Sequence, residues 1–252
     1  MKIRSIALTI LGLGLFLANP VSAQTPIRVL VSNGVREVVQ ELRPQCERAI
    51  GHPLEIQLGS TTQIMEKVAA GEQFDVALLT TGAIDDLIKQ GKVAANSRTD
   101  LARCGIGVGV RKGAPKPDIR TSEALKKALQ DTKSISYAAD GASRTYIEKM
   151  EERMGIAADA KPKTLLTQGS VAAGENVAAG KAAIVMTLIS EILPMPGVEL
   201  VGPFPAELQN YVNFAGGIST KAANADAGKA LLQSLTGAKA AAVYKAKGME
   251  PR

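Results

Sequence analysis

The chain has 252 residues, a formal net charge of +6 and only two cysteines, Cys46 and Cys104. Its basic residues are scattered without a run of five, which argues against a nucleic-acid groove or a polybasic membrane patch. Aromatic residues make up 3% and Trp is absent, which removes the flat stacking face a sugar site wants.

Residues 1–23 read as a leader rather than as part of the fold. Lys2 and Arg4 open it, Ser5 to Ala18 is largely apolar, and Val21-Ser22-Ala23 has the small-residue pattern of a cleavage site. A signal peptide over 1–23 is expected, with export to the periplasm and Gln24 as the first mature residue. The apolar stretch is short for a membrane span, and no later stretch is long and apolar enough, so no membrane insertion is expected. In an oxidising compartment two cysteines could pair, but they do not make a disulfide framework. Each lies in an apolar pattern, and two buried free thiols are expected.

In chain order, strands and helices alternate. Ile27 to Val31 reads as a strand, Ser32-Asn33-Gly34 as a turn, and Val35 onward as a helix that contains Pro44 and ends at Gly51. Pro53 to Leu58 is a second strand. Ser60, Thr61 and Thr62 are good helix caps, Ile64, Met65, Val68 and Ala69 recur at helical spacing, and Gly71 stops that helix. Val76 to Leu79 is a third strand, and a short helix runs from Ile84 to Lys89. Ile106 to Val110 is expected to be a strand leaving the first unit. A capped helix over Thr121 to Leu129 follows, then a strand over Ile135 to Ala139 and a helix from Arg144 to Met154. Further strands are expected at Leu165 to Gln168, Ala182 to Met186, Val198 to Val201 and Leu208 to Phe214. A helix covers Val171 to Ala179, and alanine-rich helices cover Ala222 to Leu235 and Ala238 to Ala246. This alternation implies an α/β fold with mixed, mostly parallel sheets.

The chemistry available is narrow. His52 is the only histidine and sits in a Gly-His-Pro turn, poorly set for a catalytic triad. There is no metal-ligand spacing and no phosphate loop; Gly180-Lys181 is followed by Ala182 where Ser or Thr is needed. No catalytic residue, metal or cofactor is expected.

What recurs is a hydroxyl or small-residue turn between a strand and a helix, at Ser32-Asn33-Gly34, Gly59-Ser60-Thr61, Ala142-Ser143-Arg144 and Gly169-Ser170-Val171. Each alone can be simple helix capping. Together, at the carboxyl ends of strands, they could aim helix N-termini at one anion. Two turns fall before Gly105 and two after Gly113, which suggests a cleft between two lobes joined by two hinge crossings. One lobe is expected over 24–103 and 212–252, the other over 104–211.

Several motifs carry a family resemblance: Arg28-Val-Leu-Val-Ser-Asn-Gly34, Gly59-Ser-Thr-Thr62, Val110-Arg-Lys-Gly-Ala-Pro-Lys-Pro-Asp-Ile119 and Gly202-Pro-Phe-Pro205. Over nearly the whole mature chain the sequence resembles the periplasmic molybdate-binding proteins of ABC importers. The resemblance implies a two-lobed class II periplasmic-binding-protein fold, a small anionic ligand, a membrane permease as partner and a monomer. It also implies a ligand set at the four turns, built in the family from uncharged donors: Ser32, Asn33 and Gly34 at the first, Ser60 and Thr61 at the second, Ser143 at the third with the charged Arg144 as a departure, Ser170 and Val171 at the fourth. Met186 stands where the family has a tyrosine, and Gly34 where it has a serine. Arg144 would suit a carboxylate through a bidentate pair. Aconitate isomerase, a periplasmic enzyme, is similar to the same scaffold. That likeness implies a proton shift between cis- and trans-aconitate and calls for a general base, for which no carboxylate in the sequence stands out.

Overall fold

The computed structural model describes residues 24–252, so the expected leader lies outside the described residues. The chain runs β1 (Ile27–Ser32), α1 (Arg36–Ile50), β2 (Leu54–Gly59), α2 (Thr61–Ala69), β3 (Val76–Thr80), α3 (Thr81–Lys89) and β4 (Thr99–Arg111). It continues through α4 (Ser122–Asp131), β5 (Ile135–Ala138), α5 (Arg144–Arg153), α6 (Ala157–Ala160), β6 (Thr164–Thr167), α7 (Gly169–Ala178), β7 (Ile184–Leu188) and α8 (Ile189–Ile192). It closes with β8 (Val198–Pro203), β9 (Tyr211–Ile218), α9 (Ala225–Ser234), α10 (Ala238–Ala246) and β10 (Met249–Pro251). This is an α/β fold on a mixed sheet. Among the described residues, no helix is long and apolar enough to cross a membrane.

The strand order is β2-β1-β3-β9-β4-β7-β5-β6, with β8 and β10 also paired to β4. β1 runs parallel to β2 and β3, and β5 runs parallel to β6 and β7. The strands joining these two sets are antiparallel: β9 to β3 and β4, and β4 to β7 and β8.

β4 is shared. Thr99 to Gly105 pair with β9, and Ile106 to Val110 pair with β7. The chain returns between β8, which pairs with the second stretch of β4, and β9, which pairs with the first. Gln209, in that return segment, clamps the junction. Its Oε1 accepts from the Ile106 N–H at 2.8 Å and its Nε2 donates to the Ile106 carbonyl at 2.9 Å.

Four differences from the sequence expectations have local causes. β4 starts at Thr99, seven residues earlier than expected, because neighbours on both edges, β9 and β10, bury Leu101, Ala102 and Cys104 together and erase the alternating pattern. α9 starts at Ala225 because the Asn224 side chain accepts from the Ala227 N–H. β7 starts two residues late, since the Lys181 and Ala182 N–H groups fold back onto the Asn176 carbonyl to finish α7. α8 is an addition: Ile184 to Leu193 is mostly apolar, and no glycine, proline or cap residue stands at the change from strand to helix at Leu188-Ile189.

Leu231, Leu232 and Leu235 are buried, so the alanine-rich end packs onto the sheet as expected. Cys46 and Cys104 are both buried and unbonded. Burial pushes each thiol up to about 11.

Candidate functional site

Each of the four turns has its own construction. At the first, β1 delivers the buried Ser32 into a single 3-10 turn, Asn33–Val35, before α1 begins. Gly34 has no room for a side chain: an added Cβ would lie 2.4 Å from Phe214 Cζ and 2.9 Å from Leu188 Cδ1. Its carbonyl accepts from the Ser190 hydroxyl at 2.8 Å, tying the start of α1 to α8.

At the second turn Ser60 caps α2 with a reciprocal pair. The Ser60 hydroxyl accepts from the Gln63 N–H, and the Gln63 side chain accepts from the Ser60 N–H, both at 3.1 Å. The capping reading is therefore satisfied here, and the Ser60 N–H is already used. Thr61 Oγ1 donates to Ser32 Oγ at 3.1 Å, joining the first two turns.

The third and fourth turns are joined by Asp140. Its Oδ1 accepts from the Gly169 N–H at 2.8 Å, and its carbonyl accepts from Thr62 Oγ1 at 3.4 Å. Gly169 opens α7 at φ +77°, a conformation that suits glycine. Ser143 is buried, with its hydroxyl 3.5 Å from Thr187 Oγ1.

These turns meet at one small cavity of about 10 Å³. Ser32, Asn33 and Gly34 line it from the first turn, Ser60 from the second, Gly141 and Ala142 from the third, and Gly169 and Ser170 from the fourth. Leu188 and Glu191 complete the wall. The first N–H groups of a helix have no intrahelical acceptor, so the openings of α1 and α7 bring donors and partial positive charge to this space.

Three expected residues lie elsewhere. Arg144 is turned back onto its own helix and turn: Nε pairs with Glu148 at 2.8 Å and a terminal nitrogen donates to the Ala139 carbonyl at 2.8 Å. Its geometry is that of an i,i+4 ion pair, not of a ligand clamp. Met186 is fully buried and lies mid-strand opposite Val108, because β7 runs on to Leu188. Val171 is 46% exposed and is not among the residues lining the cavity. Thr61 and Ser143 stand just behind the lining, through Ser32 and Thr187.

Glu191 is the residue that sequence reasoning misses. It sits on α8, one turn beyond the end of β7, and is the one ionisable side chain among the residues lining the cavity. Thr187 Oγ1 donates a short hydrogen bond to its Oε2, and Ser170 lines the same cavity. Burial pushes the Glu191 carboxyl above the usual carboxylate range, against the pull of Thr187, Ser170 and the Arg36 charge. The signal that could have found it is the polar pair Ser190-Glu191 inside an apolar run, four residues after Thr187.

His52 takes no part. Its ring nitrogens lie 3.0 Å from the Thr25 carbonyl and 3.1 Å from the Asn224 amide. Among the described residues, no group of three or more His, Cys, Asp or Glu is placed to hold a metal. A wider groove lined by Ser134, Ala183 and Ile184 lies at the starts of β5 and β7, the opposite end from the helix N-termini.

The sequence model of a family described as "Bacterial extracellular solute-binding protein" matches residues 27–250. The chain belongs to that family. Within reach of this solute-binding protein by sequence is a protein named aconitate isomerase, from Pseudomonas sp. The two are 34% identical over 250 residues, covering 96% of this chain and 95% of the relative. By structure it is similar to the periplasmic molybdate-binding protein of Azotobacter vinelandii, with a TM-score of 0.72 at 19% identity, covering 88% of this chain and 98% of the other. It is also similar to the sulfate-binding protein SubI of Mycobacterium tuberculosis H37Rv, with a TM-score of 0.69 at 16% identity, covering 90% and 87%.

Proposed function

We propose that this solute-binding protein captures a small anion between two lobes, 24–103 with 212–252 and 104–211, and delivers it to the membrane permease of an ABC importer. The observation that carries the reading is the convergence of four strand-to-helix turns, spread along the chain from Ser32 to Ser170, on one small cavity. Ser32, Asn33, Gly34, Ser60 and Ser170 are the proposed contact residues, with Thr61 and Ser143 supporting them. The Thr62 to Asp140 bond and the Ser190 to Gly34 bond would be made on closure and lost on opening.

The test is thermal unfolding with molybdate, tungstate, sulfate, and di- and tricarboxylates. A ligand at 100 times its Kd adds about 2.7 kcal/mol, roughly 5–10 °C for a chain of this length. A flat panel would overturn the reading.

A second reading, an aconitate isomerase-like enzyme, is favoured by Glu191 and by the relative of that name. A carboxylate whose pKa is raised by burial is a better base than one in water. It could take a proton from the methylene carbon of a propene tricarboxylate and return it to the former vinylic carbon, moving the double bond between them. Conversion of cis- to trans-aconitate, followed by absorbance and abolished by Glu191→Gln, would support this reading; absence of turnover in the native protein would end it.

A further inference from the structure

The cavity holds a contradiction. Its turns favour negative charge, yet its own ionisable residue is an acid. Two negative charges within one small, poorly solvated space repel each other strongly. The surroundings of Glu191 offer little direct relief. α7 and β7 contribute only hydroxyls to it, from Ser170 and Thr187. β4 contributes the thiol of Cys104, itself pushed up to about 11 by burial and therefore neutral near pH 7. α1 contributes Arg36, whose guanidinium is already paired to Glu37 at 3.0 Å. The turn before α5 carries Asp140, whose Oδ1 is held by the Gly169 N–H. No lysine or arginine lines the cavity itself.

A proton resolves the conflict. We propose that Glu191 and the captured anion share one proton, so that the site selects anions that still carry an acidic hydrogen or hydroxyl, and takes up one proton from solvent when the anion arrives fully ionised. Glu191 is then the specificity-determining residue. The favoured class is small carboxylic acids and hydrogen-bearing oxyanions, and the disfavoured class is proton-free dianions such as sulfate and molybdate. The proposal rests on the anion-capture reading and adds a sign to it: affinity for an ionised ligand falls as pH rises, because the complex holds one proton more than the separate partners. The upward pKa shift of Glu191 agrees with this direction.

The test is titration calorimetry of the native protein and Glu191→Gln with cis-aconitate, tricarballylate, sulfate and molybdate. Each is run between pH 6 and 9 in buffers of different ionisation enthalpy. In the native protein, binding of a fully ionised carboxylate should take up about one proton and weaken about tenfold per pH unit at the alkaline end. Glutamine keeps the acceptor for Thr187 and presents an amide donor, so it imitates the protonated acid without titrating. The variant should take up no proton through this group, lose the pH slope, and bind sulfate or molybdate at least about tenfold more tightly than the native protein at pH 8. Binding by both proteins without proton uptake, or equal sulfate affinity in both, would overturn the proposal alone. Absence of binding by either protein to any of the four would overturn the anion-capture reading and the proposal with it.

Discussion

Glu151 shows what a single buried acid costs. It lies on α5 with 4% of its surface exposed, and its Oε1 has no hydrogen-bond partner. Burial, with a smaller contribution from Glu148, pushes its carboxyl up to about 7. A folded-state pKa above the unfolded value means that the folded protein binds the proton more tightly. Its full stabilising contribution is present below about pH 4 and is lost as pH rises through 7. Each tenfold difference in proton affinity is worth ~1.4 kcal/mol, so the loss by pH 8–9 is about 3 kcal/mol. Glu151→Gln should therefore unfold at higher urea than the native protein at pH 8.5 and at nearly the same urea at pH 4.5, followed by circular dichroism. The side chains that line the cavity were largely legible in the sequence, because Ser, Asn and Gly recur at four strand–helix junctions, although capping alone would explain any one of them. Arg144 and Met186 were not, because their direction depends on helix phase and strand register rather than on residue type. Glu191 was hidden by the apolar residues on both sides of it.

At the scale of the element, the reciprocal cap on α2 is the clearest case of sequence dictating structure. Ser60 and Gln63 are three apart, and each satisfies the other's backbone N–H. Ser60→Ala should cost about 1 kcal/mol of stability, or roughly 2–4 °C in Tm. If Ser60 also contacts the ligand, the same variant will lose affinity by more than the stability change explains. Elements with such punctuation were readable: α4 with its Thr121 cap, α1 with Gly51 at φ 70°, and the stops at Gly71 and Gly91. Elements whose ends are set by pairing were not. The early start of β4 and the short β10 exist because of each other, Arg103 lying opposite Glu250, and no window of local sequence contains both.

For the whole molecule, the junction between the two stretches of β4 matters most. Gln209 satisfies both the N–H and the carbonyl of Ile106 where the strand passes from one set of partners to the other. Gln209→Ala would leave the Ile106 N–H without its acceptor, while the carbonyl keeps the Phe204 N–H at 3.0 Å, a cost of about 1–3 kcal/mol. Tm should fall by roughly 2–10 °C, and the Ile106 amide should exchange with solvent faster than in the native protein. An unchanged exchange rate would show that another group takes over the clamp.

The strand order also fixes when folding can finish. β9 sits between β3 and β4, and β10 lies along β4, so the middle of the sheet stays open until residues 211–251 are present. A chain emerging from its amino end must carry β1, β2 and β3 for well over a hundred residues before the strand that seals their edge arrives. Contacts so distant along the chain form slowly. Until β9 is made, the edge of β3 has no strand to close it.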